Sequence, residues 1–576
     1  MLLKSNRKTY FSIFTTFALF ASFSFYLSRL IYPPNNLISP STTISKLHHH
    51  QQQNLHNYTT IAYNFPQHSV LLPDWEVLLI FPPSPSPSPS CRQCRCVYPN
   101  NNNVDSPAVP AGVLPFTRRA VFKCLLPRSS RRFLPFPQPV VTELRGAGAP
   151  PIAVPPGELL RWHLLAYEVL PITAITANDH DQLDDVILFV KGVNGRQGVN
   201  VPPEDLRCVF FFDNNAVKTS VTSSNQEVFR CLRPRNGALT RRLVYGGNDN
   251  ETVKVSLEVG QGVESRVVSS VAYYRPGSKI ALGGTKSLLC ACTMVYNVAK
   301  FLREWVVYHS NIGVDRFVLY DNGSDDGLEK VVKKLVEENY EVSTILWPWT
   351  KTQEAGFSHC AMYAKDSCTW MMYIDVDEFI YSPSWLNASN PSPQMLKSLL
   401  HINSSSLSLS QLPIGQILIW CYEYGPSNQT VHPKEGVTQG YTCRRDEEQR
   451  HKSIVLVEAI DASLFNAIHH FQLKEGYSAR TLSANEGAVN HYKFQAWPEF
   501  MVKFRRRVSA YVVDWRQALN PMSNDRTPGL GFEPIEPKGW TERFCEVHDD
   551  RLKEATRRWF GVDSSDDQYK MVWQKE

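Results

Sequence analysis

The sequence predicts an α/β unit over residues 283–576, preceded by an all-β, sandwich-like unit over 70–282 and an N-terminal transmembrane helix at 10–32. Three observations carry this reading. An uncharged apolar run follows a basic cluster at the start; short β-branched or aromatic runs, separated by Gly, Asn and Pro, fill the middle; and strands alternate with amphipathic helices from Lys286 onward.

The run from Tyr10 to Tyr32 carries no charge before Arg29 and is preceded by Lys4, Arg7 and Lys8. Roughly 20 apolar residues span a bilayer as a helix, and the basic flank keeps its side cytoplasmic. Residues after Ser28 offer a poor cleavage site, so an uncleaved signal-anchor is expected. Residues 1–9 are then a cytoplasmic tail, and the body is luminal, where disulfides persist. The 13 cysteines permit a few bridges with at least one thiol left over. Asn-x-Ser/Thr triplets, among them those at Asn57, Asn250, Asn387, Asn403 and Asn428, fit a glycoprotein. With 60 basic and 55 acidic side chains the net charge is +5, too balanced for a nucleic-acid coat, so no nucleic-acid partner is expected. Aromatic residues at 11% and apolar ones at 43% exclude a disordered chain.

Residues 33–69, with His48 to Gln53 at their centre, read as a flexible stem. Twenty-two of the 39 prolines fall between residues 33 and 156, so the β-rich unit carries Pro-rich loops, with 83–89 alternating Pro and Ser. Its strands are expected at 75–81, 94–98, 120–126, 185–190, 207–212, 227–232, 253–259 and 266–274. Cys208 and Cys231 lie on neighbouring strands and can be bridged. The unit is either a spacer or a carbohydrate-binding module.

In the α/β unit, strands are predicted at 288–295, 316–320, 341–347 and 370–374. Asn297 caps a helix bearing Phe301, Leu302, Trp305, Tyr308 and Ile312, ended by Gly313. Asp325 or Asp326 caps a second helix, and 353–368 forms a third. Such βαβ repeats give a parallel sheet with ligands at the carboxyl ends of its strands.

The fourth strand runs directly into Asp375-Val-Asp377-Glu378-Phe379. Two aspartates leaving a buried strand together can face one point, and such hard oxygen ligands suit Mg²⁺ or Mn²⁺ shared with phosphate. Asp321 and Asn322, at the tip of the second strand, can bond a base or ribose, or make an ordinary Asx turn. Asn490-His491-Tyr492-Lys493 precedes an amphipathic segment at 498–515; His491 can serve as a third ligand and Lys493 as a diphosphate counter-charge.

Together, Tyr296-Asn297, Glu304-Trp305, His309, the stretch 317–326, Asp375 to Phe379, His451 to Ile454, His469 to Phe471 and Asn490 to Lys493 resemble glycosyltransferase family 92, over about residues 286–520. The anchor and β-rich unit resemble the layout of its plant members, including β-1,4-galactan synthases. The resemblance implies a GT-A fold and inverting transfer from a UDP-sugar, UDP-galactose, to a glycan acceptor. It implies that Asp375, Asp377 and His491 hold Mn²⁺ (or Mg²⁺), with Asp321, and beside it Asn297 and Asn322, on the nucleotide side. Inversion needs a carboxylate base, for which Glu423, Asp446 and Glu486 are candidates; Trp347, Trp349 and Trp420 can stack on sugar or pack in the core. The alternatives are a glycan-binding protein without catalysis and a retaining transferase. A single-pass type II Golgi protein is expected, and a homodimer, since luminal transferases with a β-rich side unit often dimerise.

Overall fold

Alternation along one strand, Ser287–Val295, sets the architecture. Leu289 and Ala291 enter one hydrophobic core while Cys290 and Cys292 enter another, because successive side chains of a strand point to opposite faces. The strand must therefore be covered on both sides. The computed structural model describes residues 68–574 apart from 84–93, 99–103, 133, 144–158, 172–184, 196–198, 213–214, 235–251, 275–284, 401–411, 468, 504–535 and 564–568, all within the unit Asn57–Glu576. The expected tail and anchor, and nearly all of the stem, lie outside the described residues. Among the described residues no helix is long and apolar enough to cross a membrane.

The α/β unit runs β1 (Ser287–Val295), α1 (Ala299–Ile312), β2 (Arg316–Asp321), α2 (Leu328–Glu337), β3 (Val342–Leu346), α3 (Gln353–Ala364), β4 (Cys368–Tyr373), β5 (Glu378–Tyr381), β6 (Ile414–Glu423), β7 (Gln449–Leu456) and β8 (Ala488–His491). These strands order as β3-β2-β1-β4-β7-β6-β8-β5, and Ser478–Thr481 also pairs with β6. The first four are parallel, as expected; β7 turns the sheet antiparallel. Chain order reverses between β1 and β4, and such a switch point opens a crevice at the strand ends.

The capping differs from expectation. Asn297 has φ 51° and does not cap α1; Val298 holds that position. Asp326 instead accepts the Ala299 N–H at 2.7 Å, so it caps α1 rather than α2, whose start is formed by Gly327 at φ 84°. Asn297 donates from Nδ2 to Asp325 and accepts the Asp325 N–H, clasping the two strand-tip loops together. The third helix stops at Ala364, before the β4 strand.

On one face of the sheet lie α1 and α2. The other face is covered by α3 and by the β-rich unit, whose Leu78, Ile80, Tyr167 and Phe189 share a single core with Cys290, Tyr320, Trp347 and Tyr373. The β-rich part holds three sheets, of five, eight and three strands. The strand Glu76–Pro83 belongs to the five-stranded sheet and is buried on both faces, Leu78 and Ile80 toward the α/β unit, Val77, Leu79 and Phe81 toward the three-stranded sheet. Five bridges are described: Cys96–Cys124, the expected Cys208–Cys231, Cys290–Cys368, Cys292–Cys360 and Cys443–Cys545. Cys94 is also disulfide-bonded, and Cys421 is free and buried.

Glu304 of α1 points into the core. Its carboxylate accepts the N–H groups of Val437 (2.7 Å) and Thr438 (3.0 Å) and the Thr438 hydroxyl (2.6 Å), capping the turn Val437–Gly440. Gly436 must be glycine there: its φ is 106°, and a Cβ would sit 2.4 Å from the carboxylate. Burial pushes Glu304 from an ordinary 4.5 up to about 7, against the pull of those bonds. The folded state thus binds this proton more tightly, so the stability it brings is full below pH 4.5 and lost as pH rises through 7. The advantage of the parent protein over Glu304→Gln, measured by urea unfolding, is expected to shrink across that window.

Candidate active site

The site is assembled where β4 ends and β5 begins. Asp375 and Asp377 leave the buried strand, Glu378 starts β5, and Glu378 pairs in register with His491 at the end of β8. On its other side β8 pairs with β6, setting Glu423 beside His491. Two carboxylates thus flank one imidazole at a common level of the sheet.

A buried ammonium organises the acidic turn. Lys452 of β7 lies 2.7 Å from Glu378 Oε1 and 3.2 Å from Asp375 Oδ2, and donates to His469 Nε2 at 2.7 Å. It hydrogen-bonds Asp375 and His469 and pairs by charge with Glu378. Burial alone would lower the Lys452 pKa, but Asp375 and Glu378 hold it well above the usual lysine range. Burial pushes the Asp375 carboxyl up, yet Lys452, His469 and His491 together outweigh it and hold the group at about 2. Glu378, fully buried, is pushed up by burial against the opposing pull of Lys452. His469 is lowered to about 3 by burial and by Lys452, so its neutral ring accepts the lysine proton.

Asp375 is therefore engaged: Lys452 and Gln353 Nε2 (3.3 Å) bond it, and Glu378 Oε2 accepts its backbone N–H. The group able to hold a metal, among the described residues, is Asp377, Glu378 and His491, with ligand atoms within 4.8 Å of one another. Glu378 Oε1 lies 3.5 Å from His491 Nδ1, and His491 Nε2 lies 3.6 Å from Asp377 Oδ2. His491 Nε2 is buried with no hydrogen-bond partner. A carboxylate behind one imidazole nitrogen, with the other nitrogen unbonded beside a second carboxylate, is how proteins orient a metal-binding histidine. The donor set therefore fits a divalent ion, and the imidazole suits Mn²⁺ better than Mg²⁺. Lys503, from the helical stretch 497–503, places its Nζ 2.7 Å from Asp377 Oδ2; the remainder of the expected amphipathic segment lies outside the described residues.

The other candidates scatter. Asp321 lies at the β2 tip and accepts the N–H and hydroxyl of Ser324, an Asx turn. Asn322 is buried and donates to the carbonyls of Trp347 (2.5 Å) and Trp349 (3.2 Å). Lys493 pairs with Glu423 at 2.5 Å, and Arg445 lies 3.6 Å from the same carboxylate. Asp446 is exposed, and Glu486 closes a local turn with Ser483 and Arg480. Trp347 and Trp349 are fully buried, whereas Trp420 is half-buried against the His451 ring. Glu378, Lys452, His469 and Lys503 were not singled out from the sequence. The signal for Lys452 is a lysine just before the apolar run Ile454 to Leu456 of the same strand; Glu378 sits within the acidic motif itself.

Residues 285–527 match the family described as glycosyltransferase family 92. A family 92 protein of Oryza sativa subsp. japonica is 37% identical over 508 residues, 86% of this chain and 80% of that protein. The chain belongs to glycosyltransferase family 92. A further family 92 protein, from Arabidopsis thaliana, is 45% identical over 377 residues, 64% of each chain. A galactan β-1,4-galactosyltransferase of Arabidopsis thaliana is 28% identical over 149 residues, covering 24% of this chain and 27% of that one. Among solved structures, a mannosyltransferase from Pyrobaculum calidifontis in complex with GDP-mannose and Mn²⁺ is similar at a TM-score of 0.24 and 10% identity, over 47% of this chain and 74% of that one. As a family 92 member this chain is a glycosyltransferase.

Removing one partner from a buried charge cluster leaves the others uncompensated, at about 3–5 kcal/mol. Lys452→Met strands Asp375 and Glu378, and chemical denaturation is expected to show a loss of that size.

Proposed function

We propose that this glycosyltransferase has a GT-A fold and moves a hexose, galactose from UDP-galactose, to a glycan of the cell-wall β-1,4-galactan type, with inversion and a bound Mn²⁺ or Mg²⁺. The observation that carries the reading is the juxtaposition of Asp377, Glu378 and His491 at the switch point of an α/β sheet. The similarity to a galactan β-1,4-galactosyltransferase favours galactose and galactan.

In this reading Asp377 and His491 hold the ion, while Glu378 aligns the imidazole and Lys452 keeps Glu378 and Asp375 in place. When bound, the ion neutralises charge on the departing diphosphate without proton transfer. Lys503 and Lys493 add positive charge on the same side. Asn297 and Asp321, at the ends of β1 and β2, face the nucleoside, and Asn322 shapes the loop that carries them. Of the three candidate bases, Glu423 is favoured because β6 sets it next to His491 in register; Lys493 and Arg445 orient its carboxylate. The disulfides agree with a luminal body behind a type II Golgi anchor at residues 10–32.

Full-length protein assayed with UDP-galactose and galactan oligosaccharides is expected to need Mn²⁺ or Mg²⁺. Asp377→Ala is expected to abolish transfer while leaving the melting transition nearly unchanged; metal-dependent turnover in that variant would refute the ion site. Glu423→Gln is expected to lower kcat by about 10²–10⁴-fold, the usual worth of a general base. Product anomer analysis by NMR separates inversion from retention.

A further inference from the structure

Two loops on the donor half of the crevice, 321–324 after β2 and 347–351 after β3, are gripped from outside the α/β unit. Lys123, on the strand Arg119–Leu125 of the five-stranded sheet, reaches across to donate from Nζ to the Gly323 carbonyl at 2.7 Å. The same ammonium lies 5.8 Å from the centre of the Tyr296 ring, just past the end of β1. Contact is tight: Gly323 has φ 79°, and a Cβ there would stand 2.5 Å from Lys123 Nζ.

The second loop is held in the same way. Lys191, on the strand Asp185–Lys191, donates to the Lys351 carbonyl at 2.8 Å and is braced by Glu227 at 2.5 Å. Trp162 stacks on Trp349 with ring centres 5.8 Å apart and planes 9° from parallel, and the Trp349 indole N–H faces Glu168 Oε2 at 3.4 Å. Asn322 ties the two loops to each other through the carbonyls of Trp347 and Trp349. Neither a spacer nor a glycan-binding module would require these contacts.

We propose that the β-rich unit is a working part of the donor half, its Lys123 and Lys191 acting as positioning residues that hold loops 321–324 and 347–351 in the conformation that receives the nucleotide. The proposal rests on the nucleotide-sugar reading above for its ligand, but the loop geometry stands apart from it. A charged donor holding a backbone carbonyl fixes where Asp321 and its Asx turn sit at the β2 tip. Losing that donor frees the loop without emptying a core.

The test uses the full-length protein, with UDP and Mn²⁺ as probe. Lys123→Met is expected to weaken UDP binding about tenfold by calorimetry, the scale of one charge-assisted hydrogen bond. Donor KM should rise in parallel while kcat moves less than about twofold, and Lys123→Arg should restore most of the affinity. Hydrogen exchange is expected to quicken at 320–326 in Lys123→Met and at 347–352 in Lys191→Met, and little elsewhere. Unchanged exchange in both loops overturns the proposal, as does a general loss of protection through the β-rich unit, which would mark these lysines as struts of its own fold. If the parent protein fails to bind UDP, the nucleotide reading fails, and exchange in the two loops alone decides the positioning claim.

Discussion

The acidic turn depends on one buried ammonium. Asp375, Asp377 and Glu378 crowd three carboxylates into four residues, and two of them face a dry interior. Without Lys452 that concentration of charge could not be buried, because unpaired carboxylates take up protons or draw in water rather than remain ionised. Lys452 bonds Asp375 and His469 and pairs with Glu378, which leaves Asp377 to Lys503 and the buried Nε2 of His491 unbonded beside it. Which carboxylates hold the turn follows from where that one side chain lies.

The second constraint is the absence of a seam. Residues of the β-rich sheets and of the α/β sheet fill one continuous core, with Tyr167, Phe189 and Tyr320 each packed on Trp347. Aromatic rings at such a junction bury much area and pack in defined edge-to-face geometries. The β-rich unit is therefore bound to the α/β sheet by the same forces that hold the sheet itself.

What could be read from the chain followed from local pattern. Three of the parallel strands, β1, β2 and β4, were legible because each is a largely apolar run with Asp or Asn within two residues of its end, and the acidic motif stood out because it leaves such a run directly. The Cys208–Cys231 bridge was expected from strands taken as neighbours, and it forms although the strand Asn215–Asn225 lies between them in the sheet. What escaped was non-local. No spacing reveals that β8 inserts between β5 and β6, so the partnership of Glu378 with His491 and the adjacency of Glu423 could not be seen. The capping of α1 by Asp326, twenty-seven residues downstream of Ala299, was misplaced for the same reason: a local rule assigned the aspartate to the helix it precedes. Lys452 was passed over because its partners lie on another strand and another loop.

The paired bridges Cys290–Cys368 and Cys292–Cys360 both begin on β1 and reach β4 and α3. The first staples the two strands that border the chain reversal and the second ties β1 to α3, so in the proposed reading the nucleotide side of the cleft is a fixed jaw. Accommodation of a bulkier sugar or a longer acceptor must come from the opposite jaw, built on β5, β6 and β8, where hydrogen bonds and ion pairs can yield. On that reading the range of substrates is set by the half of the cleft that is free of these staples.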